Sequence, residues 1–309
     1  MISIIIPVFN SQNTIKNLVE DIAKTLKQEF KYEIVLINDA SKDNSEQICI
    51  DLVNKYDFIN YLSLSKNFGE HNAVMAGLNN CIGDYAVIMD DDLRHSSEAL
   101  LKLIKKGLEE KNKYDVIYTN FNKKEQIFFR NFGSKINDLI ANIVLKKSKN
   151  LYLSSFKFLN RFVINEIIKY KSPFIYIDGI IHEITNKISS VNVEHEKVEK
   201  SKSGYTISKL IQLLLSMFTG YSILPLRISS LVGIIIVCFG FILSLITFFE
   251  KIFYDNIPSG YATMLIIVIF FSGTILVVLG LLGEYVGRIF LTINNKPQYI
   301  IKDKKRKNK

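Results

Sequence analysis

Gly83-Asp84-Tyr85-Ala86-Val87-Ile88-Met89-Asp90-Asp91-Asp92-Leu93-Arg94 is an apolar run that ends in three consecutive carboxylates. From Tyr85 to Met89 it lacks the alternation of a half-solvated strand. It reads as a central parallel strand covered on both faces, which puts Asp90, Asp91 and Asp92 at the strand's carboxyl end. Open α/β sheets bind ligands at that edge. Neighbouring carboxylates repel by about 4 kcal/mol per pair at roughly 4 Å and an effective dielectric near 20. A divalent cation relieves that repulsion, and Mg²⁺ takes one or two carboxylates while leaving its other positions to substrate phosphates and water. The triplet also suits a solvated acidic turn ahead of a helix, because Ser96-Ser97-Glu98 has the form of a helix start.

Upstream, apolar strands alternate with amphipathic helices. Ile2 to Val8 is a strand ended by Pro7 and Asn10, and Ile15, Leu18, Val19, Ile22 and Leu26 share one helical face behind a Ser11 or Asn13 cap. Glu33 to Asn38 is a second strand, stopping at Asp39-Ala40-Ser41-Lys42-Asp43 before a helix with Ile48 and Leu52. Asn60 to Leu64 is a third, leading through Asn67-Phe68-Gly69 into a helix with Ala73, Val74, Ala76 and Leu78. This alternation predicts an α/β fold with a doubly wound, mainly parallel sheet. Asp39 and the triplet both fall at strand ends, and the first turn has no glycine-rich phosphate fingerprint, which argues against a dinucleotide-dependent oxidoreductase. Asp39 suits hydrogen bonds to a base or ribose, and equally an Asx-turn.

A chain of 309 residues leaves a remainder beyond one ordinary domain. Between Arg227 and Glu250 stand 22 uncharged residues and between Asp255 and Glu284 stand 28. Each is long enough to cross a hydrocarbon core, so two transmembrane helices are expected. The start, Met1 to Pro7, has no basic leader, so the globular part is expected to stay in the cytoplasm. The formal charge is +9, but eight Lys or Arg and one acid follow Glu284. A basic tail beyond a span fits the positive-inside rule and anionic lipid better than nucleic acid. Three scattered cysteines make no disulfide framework.

Pro7-Val8-Phe9-Asn10, Asn38-Asp39-Ala40-Ser41-Lys42-Asp43, Asn67-Phe68-Gly69 with Ala76-Gly77-Leu78, and Asp90-Asp91-Asp92-Leu93 occur in the order of the motifs of family 2 glycosyltransferases with the GT-A fold. The chain most resembles the polyprenyl-phosphate branch of that family. The resemblance implies that Pro7, Asp39 and Asp91 contact the nucleoside and that Asp90 and Asp92 bind Mg²⁺ or Mn²⁺ on the diphosphate. It implies that Arg130 and Ser134, four residues apart on one helical face, hold the acceptor phosphate; the bland reading of this basic helix is contact with anionic lipid. Relatives carry Gln where this chain has Arg94, and a guanidinium cannot ligate a metal, so either the third protein ligand is lost or Arg94 instead touches a donor phosphate or the sugar. They carry an aspartate and an arginine where this chain has Ser155 and Lys157; Asp178 is a candidate to take over a sugar contact, or a turn residue before Gly179. An arginine and a glycine of their flexible loop correspond to Val198 and Ser201, which leaves Lys197, Lys200 or Lys202 to supply positive charge.

The expected organisation is a GT-A domain over 1–204, an interfacial amphipathic helix over 205–222, transmembrane helices over 223–250 and 256–288, and a basic cytoplasmic tail over 289–309. The resemblance implies an inverting, metal-dependent glycosyltransferase, with Asp92, Arg130 and Ser134 carrying catalysis. It would move a sugar from a nucleotide-diphosphate donor, a UDP-sugar foremost, to polyprenyl (undecaprenyl) phosphate on the cytoplasmic face of the inner membrane, for cell-surface glycan synthesis. Gly280, Gly283 and Gly287 at helical spacing fit close helix contact, and a homo-oligomer is expected. A processive polysaccharide synthase is disfavoured by the absence of tryptophan. A catalytically weak membrane scaffold with the same fold is the other reading, to which Arg94, Ser155 and Val198 give weight.

Overall fold

The computed structural model describes residues 1–26, 29–92, 96–121, 153–193, 260–294 and 296–306, with scattered helical positions between 229 and 249. It divides into two compact units, one of residues 1–204 with 295–309 and one of residues 205–294.

In the first unit, strands β1 (Ile2–Val8), β2 (Tyr32–Asn38), β3 (Ile59–Leu64) and β4 (Tyr85–Ile88) are separated by helices α1 (Ile15–Leu26), α2 (Ser45–Lys55) and α3 (Glu70–Asn80). Helix α4 (Ser97–Glu109), β5 (Val116–Phe121), β6 (Lys157–Asn160), α5 (Arg161–Ile167), α6 (Ile177–Ile184) and β7 (Ile188–Val193) follow, and β8 (Ile301–Arg306) returns to the same sheet. The order across the sheet is β7-β5-β6-β4-β1-β2-β3-β8. β1 pairs in parallel with both β2 and β4, and β2 with β3. β6 runs antiparallel to β4 and β5, and β8 antiparallel to β3, so the sheet is mixed and mostly parallel.

The unbroken apolar run of β1 follows from its position: Ile4, Ile6 and Val8 are buried in one cluster with the apolar face of α1, and Ile5 packs at Gly77 of α3. Helix α1 buries Ile15, Leu18, Val19, Ile22 and Leu26, the stripe expected from spacing. Helix α3 lies so close to the sheet that a β-carbon on Gly77 would stand 2.5 Å from Ile5 Cγ2. Ser96 caps α4, its Oγ accepting from Ala99 N at 3.1 Å; the predicted helix start and the acidic strand tip therefore coexist.

Residues 289–309 were expected to be a basic tail, and here the structure differs. Ile301–Arg306 pairs with β3 as an edge strand, held by backbone hydrogen bonds rather than by an apolar pattern of its own. Gln298 anchors the approach to it, donating from Nε2 to the carbonyls of Tyr170 (2.7 Å) and Ser172 (2.9 Å).

In the second unit, α7 (Tyr261–Ile293) contains Phe271–Ile293, which among the described residues is the one helix long and apolar enough to cross a membrane. The expected interfacial helix over 205–222 lies outside the described residues, as does most of the expected first span.

Candidate active site

The strand order reverses around β1: the chain leaves β1 toward β2 and β3, then crosses back to β4 on the other side. A crevice opens at the carboxyl ends of strands at such a switch point. Here a cleft of about 290 Å³ is lined by Pro7 and Val8 from β1, Phe9 just after it, Asp39 after β2, Asn67 and Gly69 between β3 and α3, Glu70 at the start of α3, and Asp90, Asp91 and Asp92 after β4. Pro7, Asp39 and the triplet, far apart in sequence, are thus brought together.

The loops that form the rim are tied to one another. Asn10 and Ala40 hold positive φ, 56° and 54°, a backbone state that non-glycine residues seldom adopt. Hydrogen bonds hold both turns: Ser41 N donates to Asn38 Oδ1 at 3.1 Å, Asn10 N to Ser41 Oγ at 3.1 Å, and Lys42 N to Asn10 Oδ1 at 2.8 Å. Ser11 N donates to Ser45 Oγ at 2.8 Å, closing the loop after β1 on the loop after β2.

Each acid in the cleft has a distinct environment. Asp39 is 3% exposed and accepts from Phe68 N and Gly69 N, one on each carboxylate oxygen, both at 2.8 Å. Burial raises its carboxyl above the ordinary value despite those two bonds. Asp91 Oδ2 accepts from Phe9 N at 2.9 Å and from Ser11 Oγ, and the Asp91 carbonyl accepts from Thr14 Oγ1 at 2.8 Å. Burial pushes the Asp91 carboxyl up; the bonds from Ser11 and Phe9 offset part of this, and the charges of Asp90 and Asp92 reinforce it. Asp90 Oδ2 accepts from Ser155 Oγ at 2.7 Å. That contact follows from register: antiparallel pairing sets Lys157 opposite Ile88, so the residues before Lys157 pass the tip of β4. Ser155 is therefore a hydrogen-bond donor to the triplet.

Glu70 was not singled out from sequence, although it directly follows Asn67-Phe68-Gly69. It is exposed and lines the cleft with the triplet. Loss of water there, and then the charge of Asp90, push its carboxyl up to about 7. Its neighbour His71 meets Tyr176 edge-on, with ring centroids 5.4 Å apart, and burial lowers its pKa to about 4.

Asp178 lies in the first turn of α6 rather than in a turn before Gly179, is buried, and is not among the described residues lining the cleft. It accepts from Lys157 Nζ and, at 2.8 Å, from Tyr118 OH. Burial would raise its carboxyl, but the adjacent Lys157 ammonium holds it below the ordinary value. Lys157 itself is 3% exposed and stands over the Tyr118 ring, 5.1 Å from its centroid. Arg94, Arg130, Ser134, Lys197 and Lys200 lie outside the described residues.

For a divalent cation, hard carboxylate oxygens are the suitable donors, and Asp90 and Asp92 present them at the strand tip. No cluster of three His, Cys, Asp or Glu side chains with metal-ligand geometry occurs among the described residues. Two carboxylates suffice for an ion whose remaining positions go to phosphates and water, so the donor set fits.

The family model described as glycosyl transferase family 2 matches residues 3–168. The undecaprenyl-phosphate 4-deoxy-4-formamido-L-arabinose transferase of Proteus mirabilis (strain HI4320) is 30% identical over 304 residues, covering 97% of this chain and 92% of that protein. The protein of the same description from Photorhabdus laumondii is 29% identical, covering 97% of this chain and 93% of its own. Among solved structures, glucosyl-3-phosphoglycerate synthase of Mycobacterium tuberculosis superposes with a TM-score of 0.54 at 13% identity, over 71% of this chain and 78% of that one. Its complex with Mn²⁺ and UDP-glucose gives 0.53 at 13% identity, over 71% and 77%. At such identity the likeness shows the fold, which is GT-A.

Proposed function

The chain belongs to glycosyl transferase family 2, and from that premise we propose that it transfers a sugar from a nucleotide-diphosphate donor, a UDP-sugar foremost, to undecaprenyl phosphate for modification of the cell surface. The observation that carries this reading is the 30% identity to an undecaprenyl-phosphate sugar transferase over 97% of the chain, which extends across both units. The cleft supports it with acids at the β2 and β4 ends.

In this reading Pro7, Asp39 and Asp91 form the nucleoside end of the cleft. Asp39 and Asp91 spend hydrogen-bonding capacity on Phe68, Gly69, Phe9 and Ser11, and so fix the walls that a base and ribose would meet. Asp90 and Asp92 would hold Mg²⁺ or Mn²⁺, which when bound supplies positive charge to the diphosphate leaving group. Ser155 orients Asp90. Arg130 and Ser134, with Lys197 and Lys200, are assigned to the acceptor phosphate and Arg94 to a donor phosphate or the sugar. Asp178 is assigned to holding Lys157 in place. The acceptor needs no general base: a phosphate monoester has a second pKa of about 6 and is largely dianionic at neutral pH. It attacks the anomeric carbon from the side opposite the leaving nucleoside diphosphate, inverting that centre. What remains for the protein is alignment and charge.

The membrane placement proposed is two spans, over 223–250 and 256–288, with the catalytic unit on the cytoplasmic face and the chain a homo-oligomer. The test combines membranes bearing the full chain with undecaprenyl phosphate, Mn²⁺ and a panel of radiolabelled nucleotide sugars. Label that enters the organic phase with one donor, and is lost with Asp92→Asn, is expected. No label from any donor with folded protein would overturn the reading.

A further inference from the structure

Of the acids lining the cleft, Glu70 alone has no hydrogen bond or ion pair among the described residues. Asp39 and Asp91 accept backbone N–H groups, and Asp90 accepts the Ser155 hydroxyl. Glu70 stands at the first position of α3, beside the triplet on the same cleft wall as Asn67 and Gly69. Its position is fixed from behind: the two N–H groups bound by Asp39 belong to Phe68 and Gly69, the residues immediately before it, and Gly69 takes φ of 89°, which a side chain would resist. The buried carboxylate of Asp39 therefore sets the turn that presents Glu70 to the cleft.

An acid in a helix's first turn favours the helix through its dipole, and exposed Glu70 has that benefit, but the dipole does not require the acid to line a cleft. It gives no reason to crowd a carboxylate toward three others. The phosphates of a donor would be repelled by Glu70, so the chemistry that suits it is a neutral group with hydrogen-bond donors. A carboxylate pairs well with adjacent hydroxyls, or with an amide N–H, because it offers two acceptor oxygens.

Resting on the transferase reading above, we propose that Glu70 is a donor-recognising residue that accepts hydrogen bonds from hydroxyl or N–H groups of the nucleotide sugar. Ribose and the transferred sugar share this chemistry, and the experiment separates them. Full-length protein in detergent with Mn²⁺ is titrated with UDP, 2′-deoxy-UDP and UDP-glucose, for wild type, Glu70→Ala and Glu70→Gln.

Above pH 7, where Glu70 is mostly ionised, hydrogen bonds to its carboxylate are strong enough that Glu70→Ala should weaken binding by roughly tenfold or more, at a melting temperature within a few degrees of wild type. Glu70→Gln keeps size and one acceptor oxygen and should fall between. It also serves as the readable variant where the alanine variant does not fold. Weakening of UDP but not of 2′-deoxy-UDP assigns the contact to ribose; weakening of UDP-glucose alone assigns it to the sugar. Affinities within twofold of wild type for all three ligands in a folded variant overturn the proposal. Wild type that binds none of them overturns the underlying UDP-sugar reading and this one with it, and is recognised by the silence of the unmutated protein.

Discussion

Glu33 and Glu70 lie at opposite edges of the same mostly parallel sheet, and the protein treats them in opposite ways. Glu33, at the amino-terminal edge, is 2% exposed and accepts from Ser3 Oγ (2.6 Å), Asn60 Nδ2 (2.6 Å) and Ile82 N (2.7 Å). It knits β1, β2, β3 and the turn before β4 together with no capacity directed outward. At the carboxyl-terminal edge the acids are bound by at most a few groups of the protein, and Glu70 by none that is described. Asp178 belongs with Glu33 in being buried and bound from within the chain, by Lys157 and Tyr118. A carboxylate whose acceptors are filled by its own chain is part of the scaffold, whereas one left with open acceptors is available to a ligand.

The contrast can be broken by experiment. The largest effect on stability is expected from Lys157→Met, which strands a buried charge on Asp178 and should cost about 3–5 kcal/mol. Adding Asp178→Leu should restore much of it in thermal or denaturant unfolding; a double variant as unstable as the sum of its parts would remove Asp178 from the scaffold class. Next comes Asp92→Asn, for which lipid-linked transfer is expected to drop about a hundredfold or more without a fall in melting temperature. Loss of folding there, rather than of transfer, would erase the distinction between the two edges. Glu33→Gln should show the converse: about 1–3 kcal/mol of stability lost as an amide group is turned on existing donors, with transfer per folded molecule unchanged.

The smallest effect is a pH dependence. His71, lowered to about 4 from an ordinary 6.5, is held neutral by burial against the opposing pull of Asp178. As pH falls the unfolded chain takes up the proton first, so the stability contributed by neutral His71 is whole above about 6.5 and is lost progressively toward pH 4. The raised carboxyls of Glu70, Asp39 and Asp91 act with the opposite sign, because the folded protein protonates them first. The difference in melting temperature between wild type and His71→Phe isolates the histidine: it should shift against wild type between pH 6.5 and 4.5. Parallel curves would mean that His71 is not shielded from water.

The central strands were legible because β1 to β4 are buried on both faces and so carry unbroken apolar runs, and α1 because its five buried side chains recur at helical spacing. The acids at the strand ends could be placed for the same reason, since a strand that stops at a carboxylate marks the edge. Lys157 resisted reading because a buried lysine leaves no mark in its own sequence; its partner, Asp178, lies 21 residues away. Glu70 lacked a signal for a similar reason: an acid in the first turn of a helix is ordinary, and only the cleft gives it meaning. β8 was read as a tail because Ile-Lys-Asp-Lys-Lys-Arg is a strand by virtue of the neighbour it finds.

That last strand has a consequence for biosynthesis. β3 is made early, but its antiparallel partner follows α7 and emerges from the ribosome some 240 residues later. Until then one edge of the nascent sheet stands unpaired, with the backbone groups of β3 open to any other extended chain. Completion of the sheet therefore waits for the apolar helix to have been synthesised, which makes the window between those two events the period when a chaperone would be most needed.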